Sequence, residues 1–137
     1  MSEYRVLVAD GNTQFRHSTA EFFRTDKELI RVEEASDGQA ALDKLRQEHF
    51  DVLVTELVMP KLDGLELLEQ LRVESVNRPS VIIVTTYMRS DSLLQRAFAK
   101  GASYVMLKPV EPEFLYKRMK DLLEACSGER ELSAITG

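Results

Sequence analysis

Short apolar runs alternate along the chain with amphipathic stretches in which apolar residues recur every three or four positions, the pattern of strands and helices in βα succession. The runs predict five strands: Arg5–Ala9, Leu29–Glu33, Val52–Thr55, Val81–Thr85 and Tyr104–Leu107. Between them Phe15, Thr19, Phe22 and Phe23 form one helical stripe, Leu65, Leu68 and Leu71 a second, and Leu94, Ala97 and Phe98 a third. The last helix carries Leu115, Met119, Leu122, Leu123 and Cys126 on one face, with Pro112 near its first turn, where a missing N–H costs little. These stripes are expected to be core, and Met88, Met106 and Met119 to be packing fillers. Another helix is expected to start at Asp37, in a DGQAALDKL run that holds no phosphate-cradling glycine pattern.

Right-handed crossovers and short connections assemble such units into a doubly wound α/β fold. The expected form is a flavodoxin-like (βα)5 arrangement with a five-stranded parallel sheet in the order 2-1-3-4-5. The 137 residues suit one domain, spanning 1–126. The remaining 127–137, SGERELSAITG with Gly128 as a breaker, reads as a C-terminal tail or the start of a linker.

Composition narrows the partners. The formal charge of -5 and pI near 5.1 argue against a phosphate-gripping surface, so this domain alone is not expected to bind nucleic acid. Cys126 is the only cysteine, which rules out an intramolecular disulfide, and no apolar run approaches the roughly 18 residues of a membrane span. A cytoplasmic location without membrane attachment is the expectation. His17 and His49 have no neighbouring ligand pattern and are expected at the surface, and the run Glu129 to Glu131 in solvent.

The topology brings the carboxyl ends of the first, third, fourth and fifth strands to one edge, and with them Asp10, Glu56, Thr85 and Lys108. Ligands of open parallel sheets sit at that edge, so two acids, a hydroxyl and an ammonium converge where a site is expected. Each residue also has a plainer role. Glu56 can be a solvated acid paired with Lys108, and Asp10 can cap the first helix, although Asn12 or Thr13 is better placed to do so. Thr85 can satisfy backbone, and Lys108 can be a surface lysine near a turn. Their joint occurrence at strand ends favours a pocket.

The segments VLVAD, LVMPKLDG, VIIVTTY and GASYVMLKP, in that order and spacing, resemble the receiver domain of two-component response regulators over about residues 4–125. GASY followed by LKP is most similar to receivers of the sporulation-initiation type. The resemblance implies a module that accepts a phosphoryl group from a histidine kinase on an aspartate three residues before Met-Pro; Glu56 stands there. It implies two adjacent acids holding Mg²⁺ after the first strand; Asp10 matches the first and Gly11 occupies the second. Thr85 and Lys108 match the phosphoryl-contact positions, and a cis Lys108–Pro109 peptide is implied. Thr86 replaces a very small residue and is expected to narrow the entrance. Val105 holds the switch position usually filled by an aromatic, with Tyr104 one step earlier on the other face.

These departures carry consequences. Mg²⁺ demands octahedral oxygen ligands and tolerates displacement poorly, so with Asp10 and Glu56 as weak candidate ligands any Mg²⁺ site is expected to be weak. Phosphoryl transfer depends on positioning and on neutralisation of charge by the metal, so ordinary phosphorelay activity is not expected. The longer side chain of Glu56 sets a fixed negative charge within reach of Lys108 and Thr85. That imitates a phosphoryl group incompletely, since a carboxylate carries less charge and fewer acceptor oxygens. The expected function is a non-enzymatic, atypical receiver acting as an interaction or dimerisation module. Its partners would be a histidine kinase, phosphotransferase or effector, or a second copy, engaged through the fourth helix, fifth strand and fifth helix. Two alternatives stay open: the N-terminal regulatory domain of a transcription factor whose DNA-binding domain lies elsewhere, and a still-active phosphoacceptor.

Overall fold

The computed structural model describes the backbone of residues 3–27, 30–74 and 77–136 and the side chains of those through residue 126. Strands and helices alternate: β1 (Tyr4–Ala9), α1 (Thr13–Phe23), β2 (Ile30–Ala35), α2 (Gly38–Gln47), β3 (Val52–Thr55), α3 (Gly64–Glu74), β4 (Val81–Thr86), α4 (Asp91–Ala99), β5 (Tyr104–Leu107) and α5 (Pro112–Thr136). The sheet has the flavodoxin-like order β2-β1-β3-β4-β5, and every pairing is parallel. Both the fold class and the order match the expectation from βα succession.

The helices start where side chains can cap free N–H groups. Asn12 accepts from Phe15 N at 2.9 Å, Asp37 from Ala40 N at 2.7 Å and Ser90 from Leu93 N at 3.3 Å. At α3 the capping is reciprocal: Asp63 Oδ1 accepts from Glu66 N at 2.8 Å while Glu66 Oε1 accepts from Asp63 N at 3.1 Å.

Alternation along the strands divides the core into two layers. Val6, Val8, Val52, Val54, Val81 and Ile83 face α1 and α5, packing with Phe23, Leu115, Met119 and Leu123. Leu7, Leu53, Ile82 and Val84 face the other way, against Leu42 and Leu45 of α2, Leu67, Leu68 and Leu71 of α3, and Ala97 of α4. Central strands covered on both faces read as unbroken apolar runs, which is why β3 and β4 were legible. Burying one such side chain contributes roughly 1.5–3 kcal/mol.

Several expectations are corrected at the margins. β2 starts at Ile30 and continues through Glu34 to Ala35, because an edge strand keeps a wet side and polar residues extend it; Leu29 lies outside the described residues. Phe22 and Phe98 are 37% and 49% exposed rather than core. Phe22 sits at the edge of its stripe and meets the Tyr116 ring edge-on, while α4 buries Ala97 and leaves Leu94 half-buried. Met119 is fully buried and Met106 half-buried, but Met88 is partly exposed in the loop after β4. Gly128 does not end α5, which runs on to Thr136; an interior glycine costs only about 1 kcal/mol relative to alanine. Among the described residues no helix is long and apolar enough to cross a membrane.

Candidate functional site

The pocket is the polar continuation of the layer beneath α1 and α5. Asp10, Glu56, Thr85 and Lys108 each lie two residues beyond a side chain of that layer, namely Val8, Val54, Ile83 and Met106. The period-2 alternation that turns those four toward this layer also brings the polar groups together. Backbone bonds fix the strand ends: Asp10 N donates to Ala35 O at 3.0 Å, Glu56 N to Ala9 O at 3.1 Å and Lys108 N to Thr86 O at 2.8 Å.

Lys108 is the hub. Its Nζ donates to Asp10 Oδ2 at 2.7 Å and to Glu56 Oε1 at 3.0 Å, and all three residues are buried. The outer oxygens are also engaged: Asp10 Oδ1 accepts from Asn12 N at 2.8 Å, and Glu56 Oε2 accepts from Leu57 N at 2.7 Å and from Val58 N at 3.4 Å. The Phe15 ring lies 4.3 Å from the ammonium and the Tyr87 ring 5.6 Å, near enough for cation–π attraction. Burial alone would push the lysine pKa down, but hydrogen bonds and charge from Asp10 and Glu56 outweigh it and hold Lys108 above its ordinary value. Glu56 is therefore not a solvated acid: it is 6% exposed and paired with Lys108.

The remaining expected residues divide. Glu56 reaches Lys108 but not Thr85, whose buried Oγ1 has no hydrogen-bond partner among the described residues. Gly11 lies at the exposed mouth, and a β-carbon there would make ordinary contacts, 3.4 Å from Pro60 Cδ and 3.8 Å from Ser36 O. Thr86 is fully buried in the alternation of Ile82 and Val84, and its hydroxyl accepts from Met88 N at 3.2 Å. Val105 packs against the α2, α3 and α4 layer, with Tyr104 on the opposite face. The Lys108–Pro109 peptide is cis. His17 and His49 are exposed, each near an acid, Glu34 and Asp51 respectively.

Sequence reasoning missed the aromatic cover. Phe15 was assigned only to a core stripe and Tyr87 to no role, yet both approach Lys108. The Leu57 and Val58 amides were invisible too, although the turn residues after β3 signal a chain that folds back on Glu56.

Mg²⁺ does not fit the residues present. The pocket offers two carboxylates, and all four of their oxygens already accept hydrogen bonds, two of them from Lys108. Among the described residues no group of three or more His, Cys, Asp or Glu is placed to hold a metal ion.

The sequence model of the response regulator receiver domain matches residues 6–120. The fold is similar to the Francisella response regulator 1452 receiver domain, with 27% identity, a TM-score of 0.81, and coverage of 90% of this chain and 99% of that one. It is also similar to the chemotaxis protein CheY4 of Vibrio cholerae, with 29% identity, a TM-score of 0.77, and coverage of 88% and 98%. A CheY-like response regulator receiver domain protein from Methanospirillum hungatei is 26% identical, with a TM-score of 0.84 and coverage of 93% and 98%.

Proposed function

The chain belongs to the response regulator receiver domain family, and on that premise we propose that it is an atypical receiver of two-component signalling with Glu56 in the phosphoacceptor position. Receiver domains are signalling modules that interact with kinases and effectors. In this one the signal is not phosphorylation of the usual Mg²⁺-dependent kind. Glu56 is a fixed charge, and the domain works in the cytoplasm as an interaction or dimerisation module rather than an enzyme.

The observation that carries this reading is the saturation of the pocket. Lys108 bridges Asp10 and Glu56, and the outer carboxylate oxygens are held by the amides of Asn12, Leu57 and Val58. An attacking oxygen has to be free and in line with the phosphoryl donor, with cations neutralising the incoming charge. Here the acid is turned back on the neighbouring backbone, and the pocket's buried cation, Lys108, is already shared by two acids. Unlike a phosphoryl group, Glu56 leaves the Thr85 hydroxyl uncontacted, so its imitation of the modified state is partial.

The partner would be a kinase, phosphotransferase, effector or second copy docking on α4, β5 and α5. Phe98 of α4, Leu107 of β5 and Phe114 of α5 support this, since they expose large apolar surface. Incubation with acetyl phosphate and Mg²⁺ followed by intact-mass measurement, and with beryllofluoride and Mg²⁺ followed by ¹⁹F NMR, tests the reading. No adduct is expected. A Mg²⁺-dependent adduct in the pocket overturns it.

A further inference from the structure

We propose that β5 is a pairing edge, along which two copies of this chain join antiparallel and fuse their sheets into one. The inference rests on the reading of the domain as an interaction module and commits its β5 side to a second copy, held by main-chain pairing rather than by helix faces alone.

The sheet has two edges, β2 and β5. An edge strand leaves a row of N–H and C=O groups unpaired, and charged side chains are one of the devices that guard it. β2 is guarded: its sequence, IRVEEA, holds Arg31, Glu33 and Glu34. β5, YVML, holds neither charge nor proline; its first three residues are half-buried and Leu107 is 36% exposed. A groove of about 690 Å³ runs between this edge and α5, lined by Tyr104, Val105, Met106, Leu107 and Phe114. Such an opening suits an extended segment.

The charges beside the groove favour another β5 as that segment. A two-fold axis normal to the sheet makes the pair antiparallel and keeps each face on its own side, so residues opposite each other share a face. Centring the pair on Met106 sets Val105 opposite the partner's Leu107, apolar against apolar. It also reverses the two α5 helices. Arg118 lies over the Tyr104 ring, at the start of β5, whereas Glu111 follows the strand's end. Glu111 of each copy therefore comes opposite Lys117 and Arg118 of the other, and all three are exposed groove residues. The arrangement is self-complementary: the same acid-to-base match occurs twice across the axis.

The test is sedimentation equilibrium of the full chain as wild type, as Glu111→Arg, as Lys117→Glu with Arg118→Glu, and with all three reversals together. Thermal melts check that each variant folds. The wild type is expected to dimerise. Reversing one side alone sets like charges against each other and should weaken the dimer at least ~10-fold, while reversing both sides should restore it to within ~3-fold. In the dimer, amide exchange should slow at the β5 N–H groups that point away from β4, relative to the diluted monomer. A wild type still monomeric at about 1 mM overturns the inference. So do one-sided reversals without effect, or a dimer whose β5 amides exchange as fast as in the monomer. Dimerisation that appears only after acetyl phosphate and Mg²⁺, with the same rescue by the combined reversal, upholds the pairing and overturns the phosphorylation-independent reading instead, so the two failures are distinguishable.

Discussion

Gly64 lies directly against the backbone of Glu56: a β-carbon at position 64 would stand 2.4 Å from the Glu56 carbonyl oxygen and 2.8 Å from the Leu57 α-carbon. The Gly64 amide also donates to Leu57 O at 2.8 Å, so the first residue of α3 clamps the turn that holds the acid. Gly64→Ala must push that turn away. A loss of about 2–4 kcal/mol in urea unfolding is expected, with amide shifts at Leu57 and Val58 larger than elsewhere.

Phe15 and Lys108 should be energetically coupled. Their approach is close and desolvated, so a double-mutant cycle with Phe15→Leu and Lys108→Met should return a coupling of about 0.5–2 kcal/mol. Tyr87 is 65% exposed and farther from the ammonium, and the corresponding cycle should return clearly less.

Rebuilding the acidic pair tests whether lost ligands alone disable metal binding. Gly11 has room for a β-carbon, so Gly11→Asp combined with Glu56→Asp should fold. The added carboxylate raises the negative excess that Lys108 leaves uncompensated, and the double variant should take up Mg²⁺ as followed by NMR titration. Glu56→Asp alone should not. Absence of any gain in the double variant would point to the backbone around the pocket.

Alkaline stability should report on Tyr116. Burial, and then its hydrogen bond to Asp26, push the phenol up to about 12 from an ordinary 10.0. The folded chain thus keeps a proton that the unfolded chain gives up, so this stability is fully present below pH 10 and is lost as pH rises toward 12. Lys108, also held above its ordinary value, adds loss in the same direction. Tyr116→Phe should cost about 1 kcal/mol at neutral pH and flatten the alkaline limb of a pH series of urea melts.

The parts of the fold that the chain announces are those set by burial. Val52 to Thr55 and Val81 to Thr86 are covered on both faces, so their apolar runs are unambiguous, and the strand order follows from crossover handedness. The edge strand β2 was displaced because Glu33 and Glu34 can stay half-wet and still pair with β1. Asp10, Glu56, Thr85 and Lys108 were legible as a group because each lies at or just past the carboxyl end of a strand. Which oxygen meets which donor was not, since side-chain geometry is settled by neighbours distant in sequence: Asp10 and Lys108 are 98 residues apart, and Phe15 reaches Lys108 from another element. The stripes for α1 and α4 over-assigned Phe22 and Phe98, because a helix covering a sheet with small residues such as Ala20 and Ala97 leaves the neighbouring rings outside.

The alignment of the four pocket residues with Val8, Val54, Ile83 and Met106 makes assembly its own proofreader. A strand slipped by one residue would drive Asp10, Glu56 or Lys108 toward the opposite apolar layer and pull Val8, Val54 or Met106 out of its own. Misregistered chains would thus carry an unpaired buried charge as well as a packing fault, and only the molecule with a correctly wired pocket would be stable enough to accumulate.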